Sequence, residues 1–202
     1  MAQFPSTSGA SGRWQLREQR RAVRGDNWTT LNSFESIAGT VVVGAGGQAT
    51  VVFSNLPQNY KHLQVRAISR TTFAGIATGI NARFNSDSGS NYALHQLYGD
   101  GVSAAAYAAA TQSYMAVSTT IGSTGLANAF GVFILDILDY TDTNKNKTVR
   151  SLVGKDLNGS GEASLYSSVW LNTASVTTVT ILPSDGSNFS QHSHFALYGI
   201  RG

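Results

Sequence analysis

The stretch KHLQVRAIS, residues Lys61–Ser69, decides the fold of this chain. Its apolar and polar residues alternate, with Leu63, Val65 and Ala67 in one set and Gln64 and Arg66 in the other. Successive side chains of a β-strand point to opposite faces of its sheet. The alternation therefore predicts a strand with one face in a hydrophobic core and the other toward solvent.

The same period-two pattern continues from Gly39 to the C-terminus and is interrupted by turns rich in Gly, Asn, Asp and Ser. About ten strands are predicted in roughly 165 residues. No helix between them is long enough for a parallel crossover, so we expect an all-β fold, an antiparallel jelly-roll-like β-sandwich over residues 38–202. Gly101–Ala110 fits either a long loop or one helical turn. The predicted strands are Thr40–Val43, Thr50–Phe53, Lys61–Ser69, Ile80–Phe84, Tyr92–Tyr98, Gln112–Ser118, Ala129–Leu138, Thr148–Gly154, Ala163–Trp170, Ser175–Leu182 and His194–Ile200.

Composition narrows the possible functions. Of 202 residues, 42% are hydrophobic and 12% are charged, half the usual share of charge. There is no cysteine, which excludes disulfides, thiol nucleophiles and zinc–thiolate sites. No apolar run has the ~18 residues of a membrane span, and no secretory signal is present at the N-terminus. We expect a protein made in a cytoplasm that uses no cofactor and does not insert into membranes.

All excess charge lies in the first 28 residues, because nine basic residues balance nine acidic ones from Thr29 onward. Residues 13–24 form a short amphipathic helix pattern in which the five arginines fall within about 100° of one another. Residues 29–38 are predicted to be a connector. We therefore divide the chain into an extended or short-helical arm, residues 1–37, and a neutral body, residues 38–202.

The arm has two interpretations. Five arginines on one face could contact nucleic-acid phosphates. Alternatively, the segment docks on a protein, with tryptophans as anchors and arginines paired with acidic groups. The tryptophans and the short stripe favour protein docking, so no nucleic-acid partner is predicted. The predicted docking residues are Arg13, Trp14, Leu16, Arg17, Arg20, Arg21, Val23, Arg24 and Trp28.

A glycine-rich segment, VVVGAGGQA at residues 41–49, matches the GxGxxG/A dinucleotide-binding fingerprint. That fingerprint requires a helix after the glycines and an acidic residue about 20 positions later. Here a strand pattern, TVVF at residues 50–53, follows, and Arg70 occupies the later position. We interpret the segment as a glycine hairpin.

Two patterns resemble metal sites. Asp142–Asn146 imitates the start of a calcium loop, but Lys147 and Val153 stand where an EF-hand needs Gly and Glu. The trio Asp136, Asp139 and Asp142 could still meet a cation in another geometry. His192 and His194 would share one face of a strand, where His62 or His95 could supply a third ligand. We favour a polar hairpin end and surface histidines, and predict no metal.

No catalytic motif is present, neither HExxH nor GxSxG, and the eleven acidic residues are scattered. We predict that the protein is not an enzyme. Exposed aromatic residues beside Asn and Asp would suit sugar binding, although core packing or an oligomer interface explains such residues more simply. The aromatic candidates are Tyr60, Tyr92, Tyr98, Tyr107, Tyr114, Tyr166 and Trp170.

Several phrases of the chain resemble a module of tailed-phage virion proteins, notably those of cyanophages. The arm SGRWQLREQRRAVRGDNW is similar to the segment that precedes adhesin or fibre-like modules. The body phrases, together spanning nearly all of residues 9–202, are FESIAGTVVVGAGGQATVVFSNLPQNYKHLQVR, ARFNSDSGSNYALHQLYGDG, ILDYTDTNKNKTVRSLVG and SHFALYGIRG. The resemblance implies a β-sandwich on a virion appendage, commonly oligomeric, and supplies no catalytic motif.

Together these features predict a non-enzymatic virion structural protein, a short tail fibre or appendage. Its arm would dock on other tail, baseplate or portal-proximal proteins. Its body would be a homotrimer, by analogy with such modules, and would face outward. If the role of the protein is host attachment, the body would contact a host surface glycan. The alternatives are a capsid decoration (cement) protein, a carbohydrate-binding receptor module, and, among enzymes, a depolymerase.

Overall fold

The computed structural model describes residues Phe34–Gly202, which form one compact unit. This part of the chain contains twelve β-strands and no helix. None of it therefore forms a helix long and apolar enough to cross a membrane. The predicted all-β class is confirmed. Residues 1–33 of the predicted arm, which include all nine predicted docking residues, lie outside the described residues.

The strands are short and are joined mostly by tight polar turns. In chain order they are β1 (Phe34–Val42), β2 (Val51–Phe53), β3 (His62–Ser69), β4 (Ala77–Phe84), β5 (Tyr92–Gly99), β6 (Ala104–Gln112), β7 (Met115–Ile121), β8 (Gly131–Ile137), β9 (Lys147–Asp156), β10 (Gly161–Trp170), β11 (Val179–Pro183) and β12 (His194–Ile200).

Two antiparallel sheets form the sandwich. The larger has eight strands in the order β1-β12-β3-β8-β9-β10-β5-β6, and the smaller has four in the order β2-β11-β4-β7. Every ladder between neighbouring strands is antiparallel. The predicted antiparallel jelly-roll-like sandwich is confirmed.

The core lies between the two sheets, and alternation along each strand fills it. In β3, Leu63, Val65 and Ala67 are buried, whereas Gln64 and Arg66 lie on the outer face, as the sequence predicted. Trp170 is 1% exposed and packs edge-on against Phe84. Inward positions of neighbouring strands thus supply one continuous apolar cluster.

Two local predictions about strands are wrong. The connector predicted over residues 29–38 is β-structure from Phe34, because β1 pairs with β12 from Phe34↔Ile200 onward. The stretch predicted as a loop or helical turn contains most of β6, since Ala104–Ala109 pairs in unbroken register with β5. Alanine favours helices locally, so tertiary pairing overrides its propensity here.

The glycine segment is not a hairpin. Its flanking strands belong to different sheets, because β1 pairs with β12 and β2 pairs with β11. Gly47 has φ +70°, and a Cβ there would lie 3.0 Å from the carbonyl oxygen of Phe189. The segment therefore carries the chain from one sheet to the other, and the strand predicted after it is β2.

Candidate functional site: the outer face of the eight-stranded sheet

The outer face of the eight-stranded sheet carries a line of uncovered aliphatic side chains. The register places Ile134, Leu152, Leu165 and Leu97 side by side on β8, β9, β10 and β5. They are 36%, 62%, 44% and 57% exposed, respectively. We call these four residues the apolar row. Contiguous exposed apolar surface of this kind marks a contact surface.

A line of polar side chains runs beside the apolar row, two residues away from it on each of the strands β8, β9, β10 and β5. We call it the polar row; it consists of Gln64, Asp136, Arg150, Ser167 and His95. Gln64 donates its amide N–H to Asp136 Oδ1 at 2.7 Å, and Arg150 donates to Asp136 Oδ2 at 3.0 Å. Asp136 therefore holds two neighbours in fixed orientations.

Arg66 connects the polar row to two aromatic rings. Its Nε donates to Gln64 Oε1 at 2.8 Å. Its guanidinium lies 5.0 Å from the ring centroid of Phe34 and 5.6 Å from that of Tyr198. The two rings stack with centroids 4.6 Å apart. Cation–π contact and the hydrogen bond fix the guanidinium while leaving Arg66 exposed to a partner.

Two depressions open on this face. One, of about 580 Å³, is lined by residues of β12, β3, β8 and β9, including Arg66, His194 and Tyr198. The other, of about 370 Å³, lies between β10, β5 and β6, with His95 and Leu165 in its lining. The face thus offers apolar area with fixed hydrogen-bonding groups at its margin, an arrangement suited to binding.

Sequence reasoning missed this site, although a signal for it exists. Ala163–Trp170 alternates so that Ser164, Tyr166, Ser168 and Trp170 point inward. A large aliphatic residue, Leu165, therefore falls on the solvent side. Leu97 and Leu152 occupy equivalent outward positions. Only the register of four strands shows that they are neighbours.

Lysine side chains pair with the carboxylates in and next to the calcium-like loop. Lys145 Nζ pairs with Asp139 and, at 3.3 Å, with Asp142; Lys61 Nζ lies 2.9 Å from Asp139 Oδ1. The hydrogen bond from Lys145, then that from Lys61, lowers the pKa of Asp139 to about 2. Asp136 belongs to the polar row, so the predicted acidic trio does not come together. The predicted polar hairpin end describes this loop well.

A third lysine is buried beneath the loop. Lys147 is fully buried, and its ammonium donates to the carbonyl oxygens of Asp142, Lys145 and Thr173 at 2.6, 2.9 and 2.9 Å. Burial lowers the pKa of Lys147. The positive charge of Lys147 satisfies these three carbonyl oxygens, as a bound cation would. The role of Lys147 is therefore to hold the loop in place.

The histidine pair is not on one strand face. His192 lies in a turn with φ 70°, and His194 begins β12. His62 lies at the other end of the β3–β12 ladder, where its Nδ1 accepts a hydrogen bond from the main-chain N–H of Asp139. His95 lies on β5. No three His, Asp or Glu side chains between residues 34 and 202 form a metal-binding group.

The aromatic candidates divide between core and surface. Tyr92, Tyr166 and Trp170 are buried, so they pack the core and cannot stack on a sugar. Tyr107 is 56% exposed on β6. The remaining candidates, Tyr60, Tyr98 and Tyr114, are half-buried.

One polar cluster between the sheets was also missed. Glu162 of β10 accepts hydrogen bonds from Lys155 and Ser164 and, at 3.2 Å, from Thr119 of β7. Burial raises the pKa of Glu162, but the hydrogen bonds, from Lys155 above all, outweigh it and the pKa is lowered overall. Its role is structural, since it ties β9 and β10 to an edge of the smaller sheet.

Comparison with known proteins identifies one similar solved structure. The galectin LEC-6 of Caenorhabditis elegans is 10% identical, with 83% of this chain and 99% of that chain covered at a TM-score of 0.32. This likeness is too low to support a conclusion about function. No family model and no curated protein matches the chain.

Proposed function

We propose that this protein is a non-enzymatic structural protein of a tailed-phage virion. In this proposal it is a short tail fibre or appendage that docks through its basic N-terminal segment and displays the β-sandwich outward for host attachment. The placement on a phage virion rests on the sequence resemblance. The contact role rests on the apolar row, in which four neighbouring aliphatic side chains lie uncovered on a sheet face.

The distribution of charge supports this division of roles. All net charge lies in the first 28 residues, and the charges of residues 29–202 balance to zero. An arginine-rich segment is attracted to acidic grooves, whereas a neutral body avoids unspecific electrostatic contacts. The predicted partners are therefore virion proteins for the arm and a host surface for the sheet face.

The docking proposal is tested with virions purified from a phage that lacks this gene. Full-length protein is mixed with them and co-sedimented, and we expect it to bind. Changing Arg17, Arg20 and Arg21 to Gln should abolish binding, because these charges are placed in the docking segment. A matched variant with Lys61, Lys145 and Arg201 changed to Gln removes three body charges and should still bind. Equal behaviour of the two variants would contradict docking by the arm.

Copy number separates an appendage from a capsid decoration protein. Quantitative mass spectrometry of virions should give a few to tens of copies for an appendage. Hundreds of copies would place the protein on the capsid, with the same arm lying across capsid subunits.

A carbohydrate-binding module is the second candidate, favoured by the depression beside Arg66. Sugars bind through an apolar face on an aromatic ring and hydrogen bonds around it, and Arg66, His194 and Tyr198 meet there. Calorimetry with host polysaccharide tests this proposal. Arg66→Gln should weaken binding while Lys145→Gln leaves it unchanged; equal affinities would refute the site. Release of new reducing ends would instead indicate a depolymerase.

A further inference from the structure

The two sheets have four edge strands, and three of them are protected. β1 carries Glu35 and has two register breaks, and β2 is three residues long. At β7, Lys155 Nζ donates to the Thr119 hydroxyl at 2.9 Å and Ser168 donates to the Ala116 carbonyl at 3.3 Å. Charges, bulges, short length and cover are the usual means of keeping an edge from pairing.

The fourth edge strand, β6, has none of these protections along its regular part. It is nine residues long, and its residues are exposed or half-buried on both faces. No charged residue or histidine occurs anywhere from Gly101 to Leu135. One side of β6 pairs with β5, and within residues 34–202 no strand pairs with its other side. That side presents a row of main-chain N–H and C=O groups without a partner strand.

The sequence of β6 is symmetric about one residue. Residues 104–110 read AAAYAAA, with Tyr107 at the centre. If two copies of β6 pair antiparallel about Tyr107, Ala106 faces Ala108 of the other copy and Ala105 faces Ala109. Apart from the central pair of Tyr107 residues, every pair consists of alanines, and no charged residue takes part, so no charge repulsion opposes the approach. A contact in which one surface meets itself about a two-fold axis is the commonest way that soluble proteins form dimers.

We propose that β6 is the self-association edge of this protein and pairs antiparallel with β6 of a second copy. The unbroken register with β5 over Ala104–Ala109 keeps the strand straight enough to accept a partner, and the bulge near Thr111, with φ 54°, ends the pairing. The pairing joins two eight-stranded sheets edge to edge. It gives a two-fold dimer in place of the trimer that the resemblance implies. The inference does not depend on where the protein docks.

The absence of native cysteine allows a direct test in the full-length chain. In the proposed register the two residues at position 107 face each other, with Cβ atoms about 4.5–5.5 Å apart, near disulfide range. Residue 104 lies opposite residue 110 of the other copy, so two residues at position 104 are far apart. Under mild oxidation Tyr107→Cys should form disulfide dimers about tenfold faster than Ala104→Cys. Equal rates would overturn the proposal.

Light scattering supplies the second readout. The full-length chain should be a dimer that dissociates on dilution. Ala106→Lys combined with Ala108→Lys should give monomers with unchanged circular dichroism, whereas Leu152→Lys on the apolar row should leave the dimer intact. A monomer at every concentration, a trimer unaffected by the edge lysines, or a dimer broken by Leu152→Lys alone would each overturn pairing through β6. None of these outcomes bears on virion docking, which is measured separately by co-sedimentation.

Discussion

The indole N–H of Trp170 donates a hydrogen bond to the carboxylate of Asp87 at 2.7 Å. The ring is at the end of β10 and the carboxylate is in the turn that joins β4 to β5. This bond, ahead of those from Asn91 and Gly89, lowers the pKa of Asp87. It thus fastens a surface turn to the largest side chain of the core.

Removing this carboxylate should destabilise the fold. We expect Asp87→Ala to lower the free energy of unfolding by about 2 kcal/mol, because a buried indole N–H loses a charged acceptor. Urea denaturation measures the change. Asp100→Ala is the matched control, since that carboxylate serves only its own exposed turn, at Val102 and Ser103. A loss no larger than the control's would contradict the anchoring role.

Asp139 should make stability depend on pH in the acid range. Its pKa falls from 3.8 to about 2 in the folded protein. A depressed pKa contributes stability above the unfolded value, and that contribution is lost as pH falls toward about 2. Between the unfolded and folded pKa values, the free energy of unfolding of Asp139→Asn should therefore fall less than that of the unsubstituted protein. Asparagine tolerates the φ of 47° at this position.

Urea titrations between neutral pH and pH 2 provide the measurement, with Asp156→Asn as the control. The Asp156 carboxylate accepts a hydrogen bond from the Asn158 N–H and joins no ion pair in residues 34–202. If both variants show the same slope of stability against pH, the lysine pairs at Asp139 do not carry the effect.

Lys147→Met should be strongly destabilising. The substitution leaves three carbonyl oxygens without their buried ammonium donor, and we expect a loss of about 3 kcal/mol. Lys145→Met removes a lysine that is half-exposed, and its effect should be much smaller. Thermal unfolding compares the two variants. A similar loss for both would show that the buried ammonium is not what organises the loop.

Arg70 should keep residues 122–129, the segment after β7, in a fixed conformation. Its guanidinium donates to the carbonyl oxygens of Ser123, Gly125, Leu126 and Ala129. A lysine has the charge but not the planar fork that reaches four acceptors. Arg70→Lys should therefore speed amide hydrogen exchange in residues 122–129 with little change elsewhere. Arg83→Lys, which removes a single bond to the Ser113 carbonyl, is the control.

Much of the fold was predictable because local alternation reports burial directly. Buried and exposed residues alternate in β3 and β8, and in β3 the exposed face is largely polar; this alternation, repeated along the chain, predicts a β-sandwich. β6 was not predictable, since alanine carries no face preference and only pairing with β5 fixes its conformation. The end of β1 was predicted as Thr40–Val43, but its beginning, Phe34–Ala38, was missed because two register shifts interrupt the pattern.

The sequence by itself determined the all-β class, the charge balance of the body and the polar character of the turns, because each depends on neighbours in the chain. Tertiary structure decided the rest. Leu97, Ile134, Leu152 and Leu165 lie far apart in sequence and become a surface only when four strands align. Likewise, Lys61 and Asp139 pair only because folding brings these two residues together. Contacts between distant residues depend on strand order and register, which no local pattern encodes.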